Sequence, residues 1–222
     1  MTAPDNYRLF IFVVNIYKLF IFSYILASFD YNVLHSIFYV NGRIHNMKGP
    51  LENIRVLDFS EIIAGPFAGM LLSDMGADVI KIEPPWGEPW RFSQPIVPNE
   101  SRTYISLNRG KKSLTLDLNK DSAKQIIYDL INDIDVVIVN YRPDVPANLG
   151  IDYDTLSKMN PKLIYCQNTA YGSEGNDSYR PGYDIIIQAM SGLMAADGKL
   201  NEGIPQSISA TALADFSNCI DY

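Results

Sequence analysis

From residue 47 onward, short apolar runs alternate with segments whose apolar residues recur at helical spacing. The run NIRVLDF (53–59) is rich in β-branched residues and predicts a buried strand. The segment GPFAGMLLSDMG (65–76) places apolar side chains at helical spacing from Phe67 to Met75, and Gly76 is placed to end the helix. The next run, ADVIKIE, predicts a second strand. Such a strand–helix–strand unit crosses over right-handed and makes its two strands parallel.

The same alternation continues to residue 197. Further strands are predicted at SLTLDL (113–118), DVVIVNY (135–141) and KLIYCQ (162–167), and further helices at 119–135, 152–160 and 185–197. The helix at 119–135 carries an apolar face made of Ala123, Ile126, Ile127, Leu130 and Ile131. The pattern predicts an α/β fold, an open Rossmann-like parallel sheet with flanking helices.

Residues 1–46 differ in composition from the rest of the chain. They hold 11 of the 26 aromatic residues but only five charged ones, and we predict that they are not part of the fold, which 47–222 would form. The apolar stretch 9–28 is nearly long enough to span a bilayer. A charge near its middle, Lys18, opposes that interpretation by about 2.5–3.5 kcal/mol. A translated non-coding segment is favoured, and a membrane anchor is the alternative.

Charge and cysteine content exclude several classes of function. The net charge of -7 and the pI of about 4.8 argue against a nucleic-acid surface. Two isolated cysteines, Cys166 and Cys219, are typical of a reduced, cytoplasmic protein, and the absence of a Cys/His cluster leaves a metal site without support.

The usual nucleotide-binding motifs, GxGxxG and GxxxxGK[ST], are absent from the sequence. The loop SEIIAGPFAG after the first strand should nevertheless face a ligand, although a simple tight turn explains it equally well.

The acid–base chemistry of the globular part must rest on carboxylates. Both histidines, His35 and His45, lie before residue 47, so Ser–His–Asp and Cys–His arrangements cannot be built after it. An ionised carboxylate can attack an activated acyl group as a nucleophile. Asp215, between Ala214 and Phe216, lies in a suitably apolar setting. On spacing alone, a helix cap or a surface acid is the commoner role for such a residue.

Several blocks of the sequence occur in the order of a known family. They are PLENIRVLDFSEIIAGPFAGMLLSDMGADVIKIEPP, LNRGKKSLTLDL, DVVIVNYRPDVPANLGIDYDTLSKMNPKLIYC, RPGYDIIIQAMSGLM and ALADFSN. With these blocks, the chain from residue 47 onward resembles the class III coenzyme A (CoA) transferases. This is the formyl-CoA and carnitine CoA-transferase family, which includes α-methylacyl-CoA racemase.

The resemblance implies a role for each matching residue. Asp215 matches the catalytic aspartate, which attacks the acyl-CoA thioester to form an anhydride, then an enzyme–CoA thioester that a carboxylic acid resolves. The positions that match the CoA site are Glu61, Ile62, Ile63, Ala64, Leu116 and Asn140. Lys111 and Lys112 are candidates for the CoA phosphates, with a solvated strand entry as the alternative. CoA would be a substrate rather than a bound cofactor, and the family forms an interlocked homodimer.

Departures from the family pattern narrow the range of activities that the resemblance implies. Pro84 and Asn148 stand where the formyl-CoA enzyme has basic or polar residues, which puts formyl or oxalyl specificity in doubt. Tyr183 stands where the racemases have a histidine, and because tyrosine titrates near 10, a transferase is favoured over a racemase. The family is longer, so the chain is expected to be truncated before the second domain and inactive alone. A racemase, a non-catalytic CoA-binding remnant and a membrane-tethered protein are the alternatives.

Overall fold

The computed structural model describes residues 49–93, 95–97, 100–198, 200–207 and 212–218. Within these ranges the strands are β1 Arg55–Asp58, β2 Asp78–Glu83, β3 Pro95–Val97, β4 Glu100–Ser101, β5 Lys112–Thr115, β6 Val136–Val139, β7 Ile164–Gln167, β8 Leu200–Asn201 and β9 Ile204–Pro205. The helices are α1 Ala64–Asp74, α2 Arg102–Asn108, α3 Asp121–Leu130, α4 Asp144–Leu149, α5 Tyr153–Leu156, α6 Asp184–Met190, α7 Leu193–Asp197 and α8 Leu213–Asn218. Short 3₁₀ turns occupy Pro89–Phe92 and Ile131–Asp133.

Five strands form one parallel sheet in the order β5-β2-β1-β6-β7. The chain begins the sheet at its centre, builds outward through β2 and β5, and then returns to the other side of β1 with β6 and β7. The strand order therefore reverses between β1 and β6. This is the arrangement of a Rossmann-like sheet, and it confirms the predicted fold class.

Helices cover both faces of the sheet at its central strands, which explains why β6 is apolar throughout and β1 is apolar at its centre. Val56 and Leu57 are neighbours in β1, point to opposite faces, and are both buried. Leu57 packs in a cluster with Ile127 of α3, whereas Val56 packs in a second cluster with Leu72 of α1. A strand buried on both sides has no reason to alternate with polar residues.

The ends of several elements differ from the predictions. The helix predicted at 119–135 ends at Leu130 and continues as a 3₁₀ turn, and the helix predicted at 152–160 extends only over Tyr153–Leu156. The helix predicted at 185–197 is two helices, because Gly192 has a φ of 79°, which an α-helix cannot contain. The placement of Ile126 on the buried face of α3 was wrong, since its side chain is 43% exposed.

The structure also contains short elements that the sequence pattern did not predict: the β3–β4 and β8–β9 hairpins, α2 and α4. None of the described helices is both long enough and apolar enough to cross a membrane. The candidate membrane stretch 9–28 and the whole segment 1–46 lie outside the described residues. Their separation from the fold stays a prediction.

Two adjacent isoleucines of α3 offer a test of this packing. Ile127→Ala should lower the free energy of unfolding by about 2–5 kcal/mol, because the wild-type side chain is 0% exposed and its removal leaves a cavity. Ile126→Ala is the matched control and should cost about 1 kcal/mol or less. Urea denaturation of the two variants measures the difference. Equal destabilisation would contradict the observed orientation of α3.

Candidate functional site

A cavity of about 170 Å³ lies at the carboxyl ends of the strands. Its walls come from the segments that follow β1, β2, β5 and β6, the edge at which open α/β sheets bind their ligands. The lining residues are Phe59, Glu61, Ile82, Glu83, Pro84, Trp86, Leu116, Asp117, Leu118, Asn119, Tyr141 and Leu149. Trp86 is largely exposed, so its indole forms part of the wall that solvent also reaches.

The loops after β1 and β6 are joined by the side chain of Asn140. Its Oδ1 accepts a hydrogen bond from the Glu61 N–H at 2.9 Å, and its Nδ2 donates to the Glu61 carbonyl oxygen at 2.7 Å. The side-chain amide of Asn140 thus satisfies both the backbone N–H and the backbone carbonyl of Glu61. Because β1 and β6 flank the reversal of strand order, this pair of hydrogen bonds fixes the loop at the point where a ligand is expected.

The backbone of this loop is unusual at Ile62. Its φ is 73°, in the left-handed region that β-branched residues rarely adopt. Such a conformation costs about 1–3 kcal/mol and persists only where the surroundings hold it. The next residues supply part of that support, since Ile63 and Ala64 are buried in an apolar cluster with Phe67.

A buried cluster of charges lies under the same loop. The carboxylate of Asp58, at the end of β1, accepts hydrogen bonds from the Ser60 N–H at 2.9 Å and from the Ser60 hydroxyl. Lys111 Nζ donates to Asp58 Oδ2 at 2.7 Å, to the Pro66 carbonyl at 2.8 Å and to Asn108 Oδ1 at 2.9 Å. Lys81 Nζ donates to the Ser60 carbonyl at 2.7 Å and pairs with a Glu88 carboxylate oxygen at 3.0 Å.

The charges in this cluster compensate one another. Burial alone would raise the pKa of Asp58, but Lys81, Lys111 and the hydrogen bonds outweigh it and lower that pKa, so the group stays ionised. Burial lowers the pKa of Lys111, and Asp58 opposes that effect. The three acceptors around Lys111 Nζ match the three donors of an ammonium group.

Helix α1 can approach the cluster only because two of its residues are glycines. A Cβ at Gly65 would lie 2.1 Å from the Cβ of Ser60. A Cβ at Gly69 would lie 2.7 Å from Asp58 Oδ2. The GPFAG sequence is therefore a packing requirement of the loop and the cluster beneath it, and not merely a tight turn.

A second ionic group forms part of the cavity wall at Glu83. Arg91 donates to both of its carboxylate oxygens at 2.6 Å, and Tyr104 and Ser113 donate to one of them at 2.9 and 2.7 Å. Burial works against ionisation, but these hydrogen bonds prevail and lower the pKa of Glu83 to about 2. By contrast, burial and the charge of Glu88 raise the pKa of Glu61.

Asp215 lies on α8, which packs against α1. The ring of Phe216 meets the ring of Phe67 edge-on, with 5.0 Å between the centroids. Asp215 is half-buried, and burial, followed by the nearby carboxylate of Asp184, raises its pKa to about 6. At neutral pH most of the population is ionised, as a nucleophile requires.

The structure brings most of the candidate residues of the loop together. Glu61 and Leu116 line the cavity, Asn140 holds Glu61, and Ile62 to Ala64 lead into α1, against which the helix of Asp215 packs. Of the two departures noted in the sequence, Pro84 lines the cavity, whereas Asn148 is exposed on α4 and is not among the lining residues.

The two lysines chosen for phosphates are placed elsewhere. The side chain of Lys111 is 1% exposed and fully engaged in the buried cluster, so contact with a phosphate would require it to leave three partners. Lys112 is 68% exposed, but it begins β5 and pairs with Asp78 at the opposite end of the sheet from the cavity. Neither side chain faces the cavity in this arrangement.

Sequence reasoning missed four residues around the site. Tyr141 lines the cavity, and its hydroxyl lies 3.5 Å from Glu61 Oε1. Lys120 and Arg142 each follow a lining residue directly and expose their charged side chains, paired with Asp117 and Asp144. The sequence places Lys120 and Arg142 shortly after predicted strands, at the carboxyl edge of the sheet, and this position could have identified them as candidates. Asp184, which touches the first turn of α8, offered no such signal.

The sequence was compared with family models and with known proteins. Residues 51–220 match the family model described as CoA-transferase family III. The chain is 39% identical over 169 residues to the acetyl-CoA:oxalate CoA-transferase of Acetobacter aceti, covering 76% of this chain and 43% of that protein. It is 40% identical over 178 residues to the succinate–glutarate CoA-transferase of Agrobacterium fabrum, covering 77% and 44%.

Solved structures give the same result. Rv3272 from Mycobacterium tuberculosis, in an orthorhombic crystal form, superposes with a TM-score of 0.72 at 40% identity, covering 78% of this chain and 49% of that one. A CAIB/BAIF family protein from Brucella suis superposes with a TM-score of 0.71 at 36% identity, covering 78% and 48%. The chain therefore spans about half or less of the length of the relatives it matches.

The neighbouring lysines allow the buried cluster to be tested. Lys111→Met should lower the free energy of unfolding by about 3–5 kcal/mol, because it leaves the Asp58 carboxylate buried without its ion-pair partner. Lys112→Met removes an exposed ion pair and should cost less than about 1 kcal/mol. Denaturant titration at neutral pH measures both. A Lys111 variant as stable as the Lys112 variant would contradict the structural role of the cluster.

Proposed function

We propose, because the chain belongs to CoA-transferase family III, that it is part of an enzyme that moves coenzyme A from an acyl-CoA to a carboxylic acid. The observation that carries the proposal is Asp215, a half-buried carboxylate with a raised pKa. It lies on α8, and α8 packs against α1, the helix that follows the loop held by Asn140. The chain spans 43% and 44% of the two bacterial transferases. The homodimer, the cytoplasmic location and inactivity of the chain alone stay predictions.

The cavity at the carboxyl edge is proposed to receive part of the CoA molecule. Apolar walls from Leu116 and Trp86 suit its uncharged portion, and Lys120 and Arg142 stand beside the cavity with exposed charges for its phosphates. In this proposal Lys111 positions the loop instead of touching phosphate.

The proposed chemistry begins at Asp215. A carboxylate oxygen attacks the thioester carbonyl carbon, the carbon–sulfur bond breaks, and CoA leaves as a thiolate. The thiolate then attacks the Asp215 carbonyl carbon of the mixed anhydride, which releases the donor acid and leaves CoA on the enzyme as a thioester. The acceptor carboxylate repeats the two attacks in reverse order, which produces the new acyl-CoA and restores the Asp215 carboxylate.

This cycle exchanges carboxylates and thiolates and transfers no proton. It therefore needs no histidine, in agreement with a chain that has none after His45. A racemase must remove and return a proton at carbon, and the residue at the corresponding position, Tyr183, is an exposed phenol instead of the histidine that would do this. The residue inventory supports the transferase over the racemase.

Asp215 can be tested through its first covalent step. The 222-residue chain, incubated with acetyl-CoA or succinyl-CoA and then hydroxylamine, should carry a hydroxamate at Asp215, detected by peptide mass spectrometry. Asp215→Asn should reduce labelling at least about 10³-fold, because no nucleophile remains. Labelling should rise as the pH increases through about 6, since only the ionised carboxylate attacks.

Labelling that is absent, or that persists in Asp215→Asn, would contradict this assignment. The second half of the cycle is measured separately, as label exchange between succinyl-CoA and glutarate and between acetyl-CoA and oxalate. The expected inactivity of the chain alone concerns this complete exchange and not the first covalent step, so complete exchange by the unchanged chain would contradict it.

The role of Asn140 can be tested by ligand binding. Asn140→Ala removes both hydrogen bonds to Glu61 and should weaken CoA binding, measured by calorimetry, by about tenfold or more. Asn132→Ala is the matched control, since Asn132 is exposed at the opposite end of the sheet. Equal affinities for the two variants would argue against a ligand site at the Asn140-held loop.

A further inference from the structure

The side chain of Asp184 connects two helices through its two oxygens. Asp184 begins α6, and its Oδ2 accepts a hydrogen bond from Gln188 Nε2, one turn later in the same helix, at 2.6 Å. Its Oδ1 accepts from the backbone N–H of Ala214 at 2.7 Å and from that of Asp215 at 3.3 Å. Gln188 is buried, so the carboxylate is held from its own helix while it reaches α8.

Helix α8 needs such an external partner. It has six residues, and the first amides of any helix have no acceptor within the helix itself. Ala212, the residue before Leu213, has no side-chain oxygen that could serve as a cap. A carboxylate is the favoured acceptor at this end of a helix, because it also meets the positive end of the helix dipole.

We propose that Asp184 is a positioning residue for Asp215: by capping the first turn of α8 it fixes the helix that carries the nucleophile, and it places a second negative charge beside that nucleophile. The functional part of this inference rests on the proposed transferase activity. The capping and the charge effect are properties of the described residues themselves and can be measured without CoA.

The charge of Asp184 acts on Asp215 across the contact between α6 and α8. Helix α8 packs against α6 and α1. Asp184 is the only ionisable residue of α6, and Asp74 is the only one of α1, at the last position of that helix. After burial, the Asp184 carboxylate is the cause that raises the pKa of Asp215 to about 6. Removing its charge should therefore lower the pKa of Asp215.

Two substitutions separate the cap from the charge. In Asp184→Asn the side chain keeps an oxygen that can accept from Ala214 and Asp215 but loses the charge. In Asp184→Ala both are lost. Asp144→Asn is the matched control, because Asp144 also begins a helix but its carboxylate pairs with Arg142.

The measurements use NMR on the 222-residue chain. Amide hydrogen exchange at Ala214 and Asp215 should accelerate about tenfold or more in Asp184→Ala and stay within about twofold of wild type in Asp184→Asn. In Asp184→Asn the carboxyl carbon of Asp215 should titrate with a midpoint below about 6 and above the ordinary 3.8, since burial remains. Asp144→Asn should change neither quantity.

Two results would overturn the proposal: unchanged exchange at both amides in Asp184→Ala, or an unchanged Asp215 midpoint in Asp184→Asn. Accelerated exchange throughout the sheet in Asp184→Ala would overturn it as well, because the residue would then support the whole fold. Failure of the hydroxamate labelling alone would count against the transferase proposal and leave these readings intact.

Discussion

The ion pair between Asp58 and Lys111 is the interaction on which the rest of the site depends. Burying two charges is expensive unless each is paired and hydrogen-bonded, and here both conditions are met. Asp58 binds Ser60 at the start of the loop after β1, and Lys111 binds the Pro66 carbonyl in the first turn of α1, just beyond the end of that loop. The loop between them has little freedom, and its geometry follows from satisfying the charges beneath it.

The sheet topology decides where this constrained loop lies. Because the strand order reverses between β1 and β6, the loops after these two strands diverge and leave a crevice at the carboxyl edge. Asn140 spans the crevice to hold Glu61, and the cavity opens beside this contact. Helix α8 reaches the same region because α1, which begins at the end of the loop, offers Phe67 as a packing partner.

Much of the fold was predictable from local pattern, and much of the site was not. The buried strands could be predicted from apolar runs, because both faces of the sheet are covered. Helix α1 could be predicted from the helical spacing of its apolar residues. The adjacent lysines 111 and 112 look alike in sequence, yet only the first meets Asp58, 53 positions away. The cap of α8 likewise comes from Asp184, 30 residues earlier. Contacts between distant segments depend on how helices dock, and no local spacing encodes that docking.

The left-handed backbone at Ile62 has a thermodynamic consequence for binding. A loop already fixed by Asn140 on one side and by the charge cluster below loses little conformational entropy when a ligand arrives. The strain at Ile62 is compensated during folding, when the charges are buried, and not during recognition. More of the contact energy between ligand and loop is then available as affinity, and ligand capture does not have to wait for this loop to rearrange.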